Sequence, residues 1–353
     1  MTEEDAGLVV EQAPSFDAVR DDWSRLAERS DNVFGTWEWA SAWWRHLGRR
    51  GRPLVTTCRT RGGSTFALLP LYVWPQPGLR VVRFIGHGPA DELGPLCAPE
   101  DRPAAAAALR RVLDDARADV FFGEELRRND GWAGLLGARA HGVDSNAIIR
   151  IEWDSWEEFL SSRSSNFRQQ LRRRERALAE RGLRYRLCER RTDLGRDLDI
   201  LFDLHRKRWA GSESAFVRLA AFHRDFAAAA FERGWLRLWF LEVGHAAVAA
   251  WYGLRFRGIE WYYQAGRDPA WDRFGVGLVL LAHSLREAIA DGMREYRLGR
   301  GDEDYKSRLT DDRSVVQTVT LTRGPKGRIA VAAVEAARRS AWAKRAVRRT
   351  LVG

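Results

Sequence analysis

Seven consecutive residues, Arg300–Gly301–Asp302–Glu303–Asp304–Tyr305–Lys306, set three carboxylates, a phenol and an ammonium side by side. Groups this close tune one another's pKa and offer both a base and an acid for proton transfer. The same composition also describes a solvated loop, so spacing alone leaves both readings open. A second cluster is Arg273-Phe274-Gly275-Val276-Gly277-Leu278, which stands between a strand-like run and a helix-like run. Glycines there let the backbone approach a ligand, and a helix start presents unpaired N–H groups to a pyrophosphate. Arg273 adds a mobile cation beside them. A tight helix entry with no ligand would read the same way. Other chemistries lack their motifs: the sequence contains no G-x-S-x-G, H-E-x-x-H or C-x-x-C. Leu280 stands where a dinucleotide fingerprint needs its third glycine, and GRGDEDYKS (299–307) lacks the Gly–Lys junction of a Walker loop.

The elements that must position these clusters follow from periodicity. WLRLWFLEV (235–243), VAAWYGLRF (248–256) and IEWYYQAG (259–266) alternate as strands, joined at Gly244–His245 and Arg257–Gly258. GLVLLAHSLREAIADG (277–292) has helical spacing and ends at a glycine stop; MREYRLG (293–299) follows as a strand. Of Trp251, Tyr252, Trp261, Tyr262 and Tyr263, most are expected in the core and one or two along a substrate groove. His205, beside three cationic residues on a predicted helix, is read as structural. Upstream, Ser155 and Glu158 form a capping box, then helices are predicted over 166–182, about 194–209 and about 215–233. The first half alternates helices (14–29, 37–48, 103–118) with strands joined by tight turns (54–59, 65–73, 79–86, 119–122). Such turns imply a mainly antiparallel sheet rather than a doubly wound one.

The 353 residues are enough for two domains, with boundaries read at 1–154, 155–323 and a basic tail 324–353. No apolar run reaches the length of a membrane span, the N-terminus does not read as a signal, and the three scattered cysteines form no disulfide or zinc framework. A cytoplasmic setting and no metal are therefore expected. The net charge of +10 is concentrated: residues 161–191 hold eleven Arg against three Glu, and 324–353 hold eight Lys or Arg against one Glu. Such segments fit a nucleotide cofactor, RNA or an anionic membrane surface. In the tail, Ile329, Ala333, Ala336, Ala343, Val347 and Leu351 project to one side of a helix, with Arg338, Arg345 and Arg349 towards the other. That pattern allows either salt-sensitive membrane contact or packing on the second domain.

Taken in order, VAAWYGLRF, IEWYYQAGRDPAW, the glycine loop, DGMREYRLG and RGDEDYKSRL resemble the acetyltransferase domain of CelD-like proteins of the GNAT superfamily. Gly301, Glu303, Tyr305 and Lys306 match that family's Gly-x-Glu-x-Tyr-Lys block. FGTWEWASAWW (34–44), LLPLYV (68–73) and FIGHGPADELGPLCAP (84–99) resemble its first domain. The resemblance implies an α+β fold of tandem GNAT-like domains, each a mainly antiparallel mixed sheet flanked by helices. It implies N-acyl transfer from acetyl-CoA or another acyl-CoA to an amine, such as an amino sugar, an envelope or polysaccharide precursor, or a small amine. Two positions depart from the family: Gly275–Val276–Gly277 replaces Ser-Pro-Gly, and Arg297 stands where an acidic residue is usual. The Fem-type aminoacyltransferases share the tandem architecture and a basic helix, so an aminoacyl-tRNA donor is one alternative; a non-catalytic scaffold in envelope polysaccharide assembly is another. On the leading reading Glu303 or Asp302 takes the amine proton, main-chain N–H groups polarise the thioester, and Tyr305 protonates the thiolate. Lys306 completes that cluster, and Asp91 is a secondary candidate for gripping an amine at the cleft expected between the domains.

Overall fold

The computed structural model describes residues 8–209, 214–301, 303–334 and 336. In chain order the first elements are β1 (Leu8–Gln12), α1 (Arg20–Ser30), α2 (Trp37–Trp43), β2 (Arg52–Thr60), β3 (Thr65–Gln76), β4 (Leu79–Phe84) and β5 (Leu96–Cys97). Then come α3 (Arg102–Asp115), β6 (Val120–Arg127), α4 (Trp132–Leu136), β7 (Arg139–Arg150), α5 (Trp156–Ser161), α6 (Ser165–Ala179) and β8 (Leu183–Leu187). The remainder is α7 (Leu194–Arg208), α8 (Ala215–Arg218), α9 (Ala220–Glu232), β9 (Leu236–Val243), β10 (Ala246–Phe256), β11 (Ile259–Arg267), α10 (Val276–Ala290), β12 (Glu295–Arg300), α11 (Asp304–Ser307) and β13 (Arg313–Thr322).

These elements form two compact units that are not consecutive in the chain. Among the described residues, one comprises 8–30, 48–143 and those from 317 onward; the other comprises those of 31–47 and 144–316. The bounds read from the sequence, 1–154, 155–323 and 324–353, differ from these in that 31–47 and 144–154 go with the second unit and 317–323 with the first. Two of the boundaries, 143/144 and 316/317, fall inside β7 and inside β13, strands that the sequence reading did not include. The first half of β7, RAHGVD, is mostly exposed and polar and reads as a loop.

In the first unit the order β1-β2-β3-β4-β6 is antiparallel except for the parallel pair β4/β6, and β5 adds to β3. Its core takes Trp23 and Leu26 from α1, Tyr72 and Phe84 from the strands, and Leu109 from α3. Residues 324–334 are helical, and there Val331 packs with Val81, Val120 and Phe122 while Ile329 is exposed. The remainder of the projected tail face, Ala343, Val347 and Leu351, and the arginines Arg338, Arg345 and Arg349, lie outside the described residues. Among the described residues no helix is long and apolar enough to cross a membrane.

The second unit carries the order β7-β12-β11-β10-β9-β8, antiparallel except for β11/β12. Alternation along its strands divides the side chains between two layers. Trp239, Leu241, Trp251, Tyr296 and Leu298 join α5, α6 and α10 in one core. On the other face α7 packs on β10 and β11. There Trp39 of α2 meets Phe222 and Phe226 edge-on, at 4.9 and 4.7 Å, and Phe34 meets Trp261 at 4.9 Å. These aromatic contacts bind 31–47 to this unit. The capping box holds as well: Glu158 N–H donates to Ser155 Oγ at 3.2 Å, and the Glu158 carboxylate accepts from Asp154 N–H.

Burial holds three imidazoles of this unit uncharged. His223 is pushed down to about 3, and His205 and His283 to about 4, desolvation being the largest cause for each. Their folded pKa lies below the unfolded value near 6.5, so the unfolded chain binds more protons under acid conditions. The stability they confer is therefore complete above pH ~6.5 and lost as pH falls towards 4. Urea titrations of the full chain are expected to show the unfolding free energy falling steadily across that window. A flat profile there would mean that these rings are solvated.

Candidate functional site

β11 and β12 run parallel for three paired positions, Ile259 with Glu295 through Trp261 with Arg297. Past Trp261 the two strands have no common register. A cavity of about 490 Å³ opens there, lined by Tyr262, Ala265, Gly266 and Arg267 from β11, by the start of α10, and by Glu303, Asp304, Tyr305 and Arg308. Its floor is held close by α7, since a Cβ at Gly266 would stand 2.4 Å from the main-chain nitrogen of His205. His205 Nδ1 donates to Ala265 O at 3.1 Å, which fixes the strand edge from behind. The structural reading of His205 therefore fits its place.

The turn into α10 begins with a 3-10 segment, Pro269–Phe274, capped by Asp268, whose side chain accepts from Ala270 N–H. It ends at Gly275 with φ of 65°, a left-handed conformation that favours glycine. α10 then starts without a side-chain cap, so the first-turn N–H groups have no intrahelical acceptor. Gly275, Gly277 and Leu278 line the cavity. Val276 differs, because its side chain lies fully buried in the core and only its main chain is left for a ligand. Arg273 is exposed, stacks over Phe274 at 4.7 Å and is not a lining residue. Arg267 takes the place in the wall that was expected of Arg273, tied to Asp272 at 2.6 Å.

Across the cavity, Glu303 precedes the short helix α11 and Tyr305 lies on it. Gly301, at φ of 104°, lets the Glu303 carboxylate fold back: a Cβ there would meet Glu303 Oε2 at 2.8 Å. Glu303 Oε2 lies 2.8 Å from Lys306 Nζ, with the Glu303 side chain 49% exposed and that of Lys306 2% exposed. Lys306 also donates to the carbonyls of Gly299, Arg300 and Gly301 at 3.1, 2.7 and 3.2 Å. Enclosed in this way, its ammonium staples the loop and orients Glu303. Burial raises the Tyr305 pKa far above the ordinary phenol value, with Tyr262 and Glu303 adding to it, so the phenol is a protonated donor at neutral pH. Asp302 lies outside the described residues. Asp91 is a buried residue of the first unit and is not among the lining residues, all of which belong to the second.

Of the aromatics on the strands, Tyr262 lines the cavity, while Trp251, Tyr252, Trp261 and Tyr263 are buried in the core. Arg297 is buried with its guanidinium 4.3 Å over Trp261 and its side chain bonded to Glu295. The charged wall residues that motif reading missed are Arg174, Arg208, Arg267, Asp272 and Arg308. The one sequence signal for any of them was the charge excess over 161–191, which contains Arg174.

The family described as an acetyltransferase (GNAT) domain matches residues 165–307, a span that contains the whole cavity except Arg308. No curated protein matches the sequence. Among solved structures, FemX is similar at 10% identity, covering 88% of this chain and 96% of its own, with a TM-score of 0.63. The C-terminal DUF2156 domain of a putative lysylphosphatidylglycerol synthetase from Agrobacterium fabrum is similar at 14% identity, covering 90% and 96%, with a TM-score of 0.60. A tandem GNAT protein from the clavulanic acid biosynthesis pathway is similar at 12% identity, covering 90% and 99%, with a TM-score of 0.51. At these identities the likeness is one of fold.

Proposed function

We propose that this acyltransferase, whose residues 165–307 are a GNAT acetyltransferase domain, moves an acyl group from an acyl-CoA thioester to an amine within the second unit, as a CelD-like member of that superfamily. The observation that carries the reading is the meeting, in one cavity, of the α10 start, the β11 edge beyond Trp261, and the Glu303–Tyr305 pair. The donor pyrophosphate lies on the N–H groups of 276–278, where the partial positive charge of a helix start favours an anion. Its acyl-bearing arm follows β11, whose main-chain groups past Trp261 are free of β12 and can polarise the thioester carbonyl.

The acceptor amine loses its proton to Glu303, directly or through one water, and its nitrogen attacks the carbonyl carbon. The C–N bond forms as the C–S bond breaks, and Tyr305 gives its proton to the departing thiolate. Lys306 acts on this step through the position of Glu303. An amino sugar, a glycan precursor or a small amine fits as acceptor.

Gly277→Val tests the donor site. A Cβ at 277 meets only Arg267 Cδ, at 3.6 Å, and so fits the protein itself. Calorimetric affinity for CoA is expected to fall at least tenfold, ~1.4 kcal/mol, with the melting temperature nearly unchanged. Equal CoA affinity in the variant would sink the assignment.

A second reading, an aminoacyl-tRNA donor, is favoured by one observation: Arg172, Arg173 and Arg176 are exposed along α6. Binding of that kind would weaken steeply with salt, and RNA retention without any CoA affinity would support it instead.

A further inference from the structure

The cavity holds more positive charge than a pyrophosphate on main-chain N–H groups needs. Four arginines line it. Arg267 is neutralised by Asp272, and Lys306 pairs with Glu303. Arg208 and Asp304 offset each other in formal charge. Arg174 and Arg308 remain, and among the described residues neither has a carboxylate partner; Arg308 Nη1 donates to Gln170 Oε1 at 3.1 Å. Arg174 reaches from α6 across to the cradle itself, where a Cβ on Gly275 would come within 2.7 Å of its Nη1. Burial, with Arg173 and Arg308 nearby, lowers the Arg174 pKa. Arg174 and Arg308 thus line one cavity, from α6 and from the residue that closes α11, with the exposed Arg173 near enough to act on the charge of Arg174.

Such an arrangement is unfavourable for the empty protein, because like charges repel and one of the three is partly desolvated. It suits a phosphate dianion, which accepts paired hydrogen bonds from guanidinium forks. Charge matching gives the number of phosphates. A pyrophosphate bridge carries about two negative charges, and the α10 start supplies only about half a positive charge. Three arginines with the helix start match two negative charges plus a phosphate monoester of about −1.5 to −2.

Resting on the acyl-CoA reading above, we infer that Arg174 and Arg308, with Arg173 at the rim, form a second anion subsite that takes the phosphate monoester at the nucleotide end of the donor. The enzyme then selects a 3′-phosphorylated nucleotide donor over the same molecule lacking that phosphate.

The test is calorimetric titration of the full chain with CoA and with 3′-dephospho-CoA, in the wild type and in Arg308→Gln. The wild type is expected to bind dephospho-CoA at least tenfold more weakly, ~1.4 kcal/mol. In Arg308→Gln, CoA affinity should fall to near the dephospho-CoA level and the discrimination should shrink to about twofold or less. Equal wild-type affinity for both compounds overturns the subsite and leaves the acyl-CoA reading standing. Full discrimination retained in the folded variant also overturns it. Failure of both compounds to bind the wild type overturns the subsite and the acyl-CoA reading together.

Discussion

Glu303→Gln is expected to lower turnover by roughly 10²-fold or more, with CoA affinity little changed. The amide keeps the size of the side chain and can still accept a hydrogen bond from Lys306, but it cannot take a proton from the amine. Loss should be greatest near neutral pH and partly relieved at alkaline pH, where more acceptor arrives already deprotonated. That relief separates a missing base from a misplaced loop, which higher pH would not repair. Full turnover in the variant, measured with an identified acceptor, would remove Glu303 from the chemistry and pass the role to Asp302 or Asp304.

Lys306→Met should do more damage to the loop than to any single chemical step. It leaves three carbonyls and one carboxylate without their shared donor at a site where Lys306 is almost fully buried. Each unsatisfied buried group costs ~1–3 kcal/mol, so a loss of about 3 kcal/mol or more is expected, seen as a lower unfolding midpoint. Turnover should fall with it, because Glu303 loses its orienting partner. Lys306→Arg should not restore either property, since a planar fork cannot point at three carbonyls and one carboxylate in this geometry. A variant with native stability but no turnover would show instead that the ammonium takes part directly.

The segments that line the candidate site were legible where each is local. The glycines at 275 and 277, the helix after them and the loop at 301–306 follow one another within a short stretch, and turn residues mark their ends. The hairpins from β9 to β11 were legible for the same reason. What periodicity could not show depends on contacts distant in sequence. The exposed first half of β7 looks like a loop in isolation and becomes a strand by pairing with partners far along the chain, whereas β13, RSVVQTVTLT, carries a local strand signal in its Val and Thr residues. The passage of 31–47 into the second unit rests on Trp39 meeting Phe222 and Phe226, an encounter no local window contains.

The same limit explains the arginines. Arg273 was conspicuous beside the glycines, yet its side chain turns onto Phe274. Arg174, nearly a hundred residues upstream, reaches the cradle because α6 packs beside α10 in one core. Lys306 was read as a catalytic candidate from its neighbours in sequence. Its contacts with the carbonyls of Gly299, Arg300 and Gly301 and with the Glu303 carboxylate are what point to a positioning role instead.

The central claim is that an acyl-CoA occupies the cavity lined by β11, the start of α10 and residues 303–308 in the second unit. Hydrogen–deuterium exchange of the full chain, with and without acetyl-CoA, tests this most directly. Slowed exchange is predicted over 262–267, at the amides of 276–278 and across 303–308, with the first unit's strands β1 to β4 unchanged. Unchanged exchange throughout these three segments at saturating acetyl-CoA, or protection that appears only elsewhere, would contradict it.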